Sequence, residues 1–188
     1  MQISQLKSRN IRAALSVILG ILLGAFYLTA NLIFCMLYED VWYLSLALYQ
    51  LSLLVCRYYA LFLNELPHLK AKIGFLLTLA SAFMSLSLFY SVFSPLGRLR
   101  STAAAAISLI YFSFLFLRFL LSLRINRGGD GIFSLVFRLR ILSLLSALYA
   151  FLLQLSPMLN FGTEREALFS FLSAFLCSYF MLISAARE

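Results

Sequence analysis

The sequence predicts an all-α polytopic membrane bundle of six transmembrane helices, built as two inverted three-helix repeats. Three observations carry that prediction: an apolar composition, six apolar windows of bilayer length, and a self-match between the two halves of the chain. Of 188 residues, 63% are hydrophobic, 16% aromatic and 12% charged, and the mean hydropathy is +0.97. These values lie far outside the range of soluble globular domains. The chain reads as a single integral membrane domain over 1–188, with half-repeats of about 1–95 and 96–188.

A spanning helix needs roughly 20 mostly apolar residues. The first window, 11–37, follows a polar, basic start from Met1 to Arg12. It is too long for a cleaved signal peptide and reads as a retained span. The second, 41–63, opens after Glu39-Asp40 and closes before Pro67, which marks a helix exit. The third, 73–94, ends at the turn Ser94-Pro95-Leu96-Gly97, the natural boundary between halves. The fourth, 102–122, opens on the small residues Ala103 to Ala106. The fifth, 132–155, follows the loop Arg127-Gly128-Gly129-Asp130-Gly131 and exits at Pro157. The sixth, 166–185, is preceded by Thr163-Glu164-Arg165-Glu166, whose spacing is that of a capping box.

A shift of 90 positions brings Asp40 onto Asp130, Tyr59-Ala60 onto Tyr149-Ala150 and Pro67 onto Pro157, and a shift of 92 brings Ser81-Ala82-Phe83 onto Ser173-Ala174-Phe175. With three spans per half, a second copy enters the membrane from the opposite side, so the halves are expected to be inverted. Small residues at helical spacing, Ser16, Gly20 and Gly24 in the first span and Ala104 and Ser108 in the fourth, predict close helix packing near the pseudo-axis.

Lys and Arg are retained on the cytoplasmic side. With the N-terminus inside, the inner segments hold Lys7, Arg9, Arg12, Lys70, Lys72, Arg124, Arg127 and Arg187, against Arg98, Arg100 and Arg165 outside. Both termini are therefore expected in the cytoplasm of a plasma-membrane protein. Topology accounts for the net charge of +8, and no basic face interleaved with aromatics points to nucleic acid.

Charges inside spans face a bundle interior, a water cavity or the headgroups. Here they are Arg57, Arg118, Arg138 and Arg140, all within about two turns of the inner surface. They can converge on one basic pocket for an anionic or lipid-like ligand, held by forked guanidinium donors. The alternative is that each snorkels separately to the interface. Arg138 and Arg140 point about 200° apart on a helix, so at most one joins a shared site. Asn31, Gln50, Gln154 and Thr78 are the other polar groups within spans. They are read as interhelical hydrogen-bonding residues, with a substrate lining as the second reading for Asn31, Gln50 and Gln154.

Catalysis finds no motif. His68 is the single histidine, no Gly-x-Ser-x-Gly or Gly-rich phosphate loop occurs, and Cys35, Cys56 and Cys177 read as small buried hydrophobes. Neither a metal nor another cofactor is expected, nor an enzyme. The expected partners are membrane lipids, with a second copy or a membrane partner protein as docking possibilities.

The stretch Tyr38-Glu39-Asp40-Val41-Trp42-Tyr43, leading through Tyr49 to Arg57-Tyr58-Tyr59, resembles a segment of a broad group of multi-spanning membrane proteins of Gram-positive bacteria. The run Leu142 to Ala147 is similar to the same group, whose last span tends to carry glycines where this chain has Ser173-Ala174-Phe175. The group has no established activity, so the resemblance implies a bacterial plasma membrane and assigns no functional residue. Two functions follow from the residues. One is a transporter or channel-like protein with a site between the halves. The other is a non-catalytic subunit or lipid-binding scaffold that docks a partner through its small-residue faces.

Overall fold

The computed structural model describes residues 2–62, 69–93, 102–125 and 132–155, together with Phe175, Tyr179, Phe180 and Ile183. Side chains are described at 15, 17–59, 71–90, 102–121 and 136–154 and at those four positions. The described residues form five helices: α1 (Gln2–Tyr38), α2 (Val41–Phe62), α3 (Leu69–Phe93), α4 (Thr102–Ile125) and α5 (Ile132–Leu155). Four are long and apolar enough to cross a membrane: α1 over Val17–Tyr38, α3 over Ala71–Tyr90, α4 over Thr102–Leu121 and α5 over Val136–Gln154. The molecule is a small, multi-pass, all-α membrane protein.

Five helices with four candidate spans correct the expectation of six spans and of two inverted three-helix repeats. One physical reason stands out. The second apolar window falls short as a lipid-facing span because it carries Trp42, Tyr43, Tyr49, Gln50, Arg57, Tyr58 and Tyr59. The sixth window, 166–185, lies outside the described residues except at Phe175, Tyr179, Phe180 and Ile183, which are helical. The self-match also joins residues that do different work. Tyr149 is wholly buried and hydrogen-bonded, whereas its supposed counterpart Tyr59 is half-buried beside Tyr58. Spans drawn from Leu, Ser, Ala and Phe produce such coincidences because the bilayer admits few residue types. Asp130, Pro67, Pro157, Ser173 and Ala174 lie outside the described residues.

Why α2 tolerates its polar content follows from its position. It packs between α1 and α3 and also meets α5, so protein rather than lipid surrounds much of it. Trp42, Tyr43, Ser45, Tyr49, Gln50, Ser52, Cys56 and Arg57 are all buried. The outward surface is apolar instead, with Leu22, Phe26 and Met36 of α1 and Phe114, Leu117 and Leu121 of α4 exposed to the surroundings. The α4–α5 pair closes on the first three helices through α1–α4 and α2–α5 contacts. Phe175 stacks on Tyr149 with ring centroids 5.5 Å apart, and Tyr179 lies 6.0 Å from Tyr49, which places both on the α2–α5 side.

The α1–α2 turn is tight. Glu39 takes a left-handed backbone conformation, φ 50°, the conformation that usually falls to glycine just past a helix end. Asp40 then caps α2. Its Oδ1 accepts the Trp42 backbone N–H at 2.9 Å, and its carbonyl accepts the Tyr43 N–H at 3.2 Å.

Candidate functional site

Gly20 and Gly24 lie one turn apart on the inward face of α1. A Cβ added at Gly20 would meet Arg118 Nη1 at 3.2 Å, Arg118 Nη2 at 3.3 Å and Arg57 Nη1 at 3.5 Å. A Cβ at Gly24 would meet Leu54 Cδ2 at 2.8 Å and Arg57 Nη1 at 3.3 Å. The space that side chains would fill on α1 is thus occupied by the guanidinium groups of Arg57 on α2 and Arg118 on α4 and, at Gly24, by Leu54. Small residues commonly let helix backbones approach in lipid; here they make room for arginine.

Arg57 is 4% exposed. Its Nη1 donates to the Gly20 carbonyl at 2.6 Å and its Nη2 to Ser143 Oγ, so one side chain ties α2 to α1 and α5. Ser143 Oγ in turn donates to the Leu139 carbonyl at 2.8 Å. These partners of Arg57 are neutral, as is the Tyr111 hydroxyl, which Arg57 also reaches as a hydrogen-bonding neighbour. Arg118 and Arg140 are half-buried and act electrostatically on one another and with Arg57. Arg138 is half-buried and is not among the charges that act on either. Of the two α5 arginines it is therefore Arg140 that faces the cluster, as the angle between them requires.

A polar network stands directly over the arginines. Tyr27 and Tyr111 stack face to face, with centroids 4.1 Å apart and planes 6° from parallel. Gln50 Nε2 donates to the Tyr111 hydroxyl, and Arg57 and Arg118 both lie within electrostatic reach of that hydroxyl. Ser108 Oγ donates to Gln154 Oε1 at 3.1 Å and lies 3.2 Å from the Tyr27 hydroxyl, which then donates to it. Asn31 Nδ2 donates to the Tyr27 carbonyl at 2.8 Å. Asn31, Gln50 and Gln154 are each 1% exposed; Asn31 and Gln154 share one set of hydrogen bonds through Tyr27 and Ser108, Gln50 bonds to Tyr111, and the Tyr27–Tyr111 stack brings the two sets together across α1, α2, α4 and α5. Thr78 is exposed on α3, and its hydroxyl donates back to the Gly74 carbonyl at 2.9 Å.

Ala104 and Ser108 are buried on the inner face of α4. The Ser16 side chain lies outside the described residues. Tyr27, Tyr111 and Ser143 were missed at the level of sequence, yet a signal for the tyrosines exists. Gly20 and Tyr27, Gln50 and Arg57, and Tyr111 and Arg118 are each seven residues apart. Seven residues is about two turns, which returns a side chain to the same helix face. Ser143 similarly stands three residues beyond Arg140.

Gln50 and Tyr111 give a direct check on this network. A double-mutant cycle of Gln50→Leu with Tyr111→Phe, read by unfolding in lipid nanodiscs, is expected to give a coupling of about 1 kcal/mol, within the range for polar pairs between membrane helices. Additive effects would mean that the two groups do not bond.

Comparison with known proteins gives no match: no family model, curated protein or solved structure aligns significantly with this chain.

Proposed function

We propose that Arg57, Arg118 and Arg140 bind an anionic group, and that the chain is a small bacterial plasma-membrane protein of transporter or channel-like type, non-catalytic, which takes this anion from the cytoplasmic side. The observation that carries the reading is a buried guanidinium held by neutral groups beside two further arginines. Two like unit charges about 6 Å apart repel by about 3 kcal/mol at an effective dielectric near 20. A phosphate or carboxylate group relieves that repulsion and matches the planar fork of guanidinium donors.

The orientation rests on the positive-inside rule. The cluster lies one to two turns from the ends of α2 and α4 and the start of α5, the end where Lys70, Lys72 and Arg124 also lie. That end, with the N-terminus, is assigned to the cytoplasm. The inward direction of Gly20 and Gly24 speaks against a scaffold that docks partners on this glycine face, because Arg57, Arg118 and Leu54 already cover it.

Thermal unfolding in nanodiscs of neutral lipid, with inorganic phosphate, small carboxylates and short-chain anionic phospholipid added in turn, tests the proposal. A ligand at about 100 times its Kd stabilises the folded state by about 2.7 kcal/mol. A selective shift is expected for at least one of these groups, followed by its flux into proteoliposomes. Shifts no larger than those caused by changing bulk lipid charge would overturn the reading.

A further inference from the structure

The opposite end of the bundle has its own buried charge. Asp40 is 3% exposed. Its Oδ1 is used in capping α2, while Oδ2, also buried, has no hydrogen-bond partner among the described residues. The wholly buried Tyr43 hydroxyl has none either, and the Asp40 carboxylate acts electrostatically on it. Leaving a buried polar group unpaired costs about 1–3 kcal/mol, and more for a charged one. Both oxygens are buried and unpaired among the described residues, and the carboxylate lies within electrostatic reach of the hydroxyl.

The surroundings carry the sign of the missing group. α1 ends at Tyr38, and the C-terminal end of a helix is its negative pole. Exposed Glu39 adds a second acidic group, and Tyr38 and Tyr27 are the other titratable groups of α1 that act on Tyr43. No Lys or Arg occurs from 13 to 56, 73 to 97, 101 to 117 or 141 to 155. Asp40 and Arg57 are 17 residues apart, about 25 Å along α2. Arg98, Arg100 and Arg165, which the charge pattern assigns to the same side as Asp40, lie outside the described residues.

We propose that Asp40 Oδ2 and the Tyr43 hydroxyl bind a small monovalent cation of the sodium type, with carbonyls of the last turn of α1 completing its shell. The ligand chemistry fixes the class. All the donors are oxygens, which suit hard cations rather than transition metals. A single buried carboxylate balances one positive charge, whereas calcium sites draw on several carboxylates. Among the described residues no group of three His, Cys, Asp or Glu gathers for a multivalent metal. This site is separate from the arginine cluster and stands or falls without it.

Trp42 provides the readout, because it is the only tryptophan in the chain and its backbone N–H is bound to Asp40. Its fluorescence in nanodiscs, followed as sodium replaces N-methylglucamine at fixed pH and ionic strength, is expected to change saturably. Asp40→Asn, which keeps a good helix cap, is expected to abolish the response. Tyr43→Phe is expected to weaken the apparent affinity at least tenfold, and Lys72→Ala, exposed at the far end, to leave it unchanged. A signal that follows pH but not sodium would replace the cation by a proton and overturn the proposal. So would a sodium response that survives in both Asp40→Asn and Tyr43→Phe. If Asp40→Asn fails to fold, Tyr43→Phe decides, because it removes one ligand oxygen and keeps the packed ring.

Discussion

Replacing Arg57 by methionine is expected to leave the protein folded, at equal or higher stability without ligand, and to abolish its stabilisation by anions. The reasoning rests on what the substitution leaves behind. Removing one partner of a buried ion pair costs about 3–5 kcal/mol because the other charge is stranded. Arg57 strands nothing of that kind. The Gly20 carbonyl belongs to the α1 backbone and Ser143 Oγ keeps its bond to the Leu139 carbonyl. Methionine fills a similar volume and adapts to irregular packing, and the repulsion exerted by Arg57 on Arg118 and Arg140 disappears. Against the wild type, unfolding in nanodiscs should show a midpoint equal or higher without ligand, and a gain of about 2.7 kcal/mol at 100 times Kd reduced to near zero. Retention of the full anion response in Arg57→Met would remove Arg57 from the site.

Enlarging Gly24 is expected to have the largest effect on folding. A Cβ there stands 2.8 Å from Leu54 Cδ2 and 3.3 Å from Arg57 Nη1, so Gly24→Val forces apart α1 and α2 and displaces the guanidinium. Overpacking of this kind costs about 1–3 kcal/mol. Gly20→Ala should cost less, since its neighbours at 3.2–3.5 Å are the ends of long arginine side chains that can give way. Gly74, with nothing within 4 Å of an added Cβ, is the control. Gly74→Ala should be neutral or stabilising by up to about 1 kcal/mol, because alanine is the better helix former. A ranking by unfolding midpoint of Gly74→Ala, then Gly20→Ala, then Gly24→Val would verify the cradle, and equal effects at all three would refute it.

The helices were legible in the sequence where lipid dictates the residue. Windows beginning at 41, 102 and 132 coincide with α2, α4 and α5, because Pro, Gly and charged residues end each apolar run. The span count was misread for α2, whose polar content makes sense once α1, α3 and α5 are known to enclose it. Periodicity reports how apolar a segment is, and it is silent on whether protein or lipid does the enclosing. Within the site, the inner-end arginines and the buried amides could be named from the cost of polar groups in a membrane. Which arginines meet could not, because that depends on helix rotation. The glycines were read as a surface for another backbone, since spacing alone cannot distinguish a backbone from a guanidinium as the occupant.

The bond from Arg57 to the Gly20 carbonyl also bears on how the chain enters a membrane. A nascent segment with Gln50 and Arg57 partitions into lipid reluctantly, since an arginine in a span costs about 2.5–3.5 kcal/mol on insertion scales. α1 has already been synthesised when α2 emerges, and it presents both the carbonyl acceptor and the gap at Gly20 and Gly24. The tight Glu39-Asp40 turn holds the two segments side by side from the start. The hairpin of α1 and α2 is therefore expected to insert as one unit, led by α1, which is apolar enough to span by itself. α5 completes the seating of Arg57 only later, when Ser143 arrives.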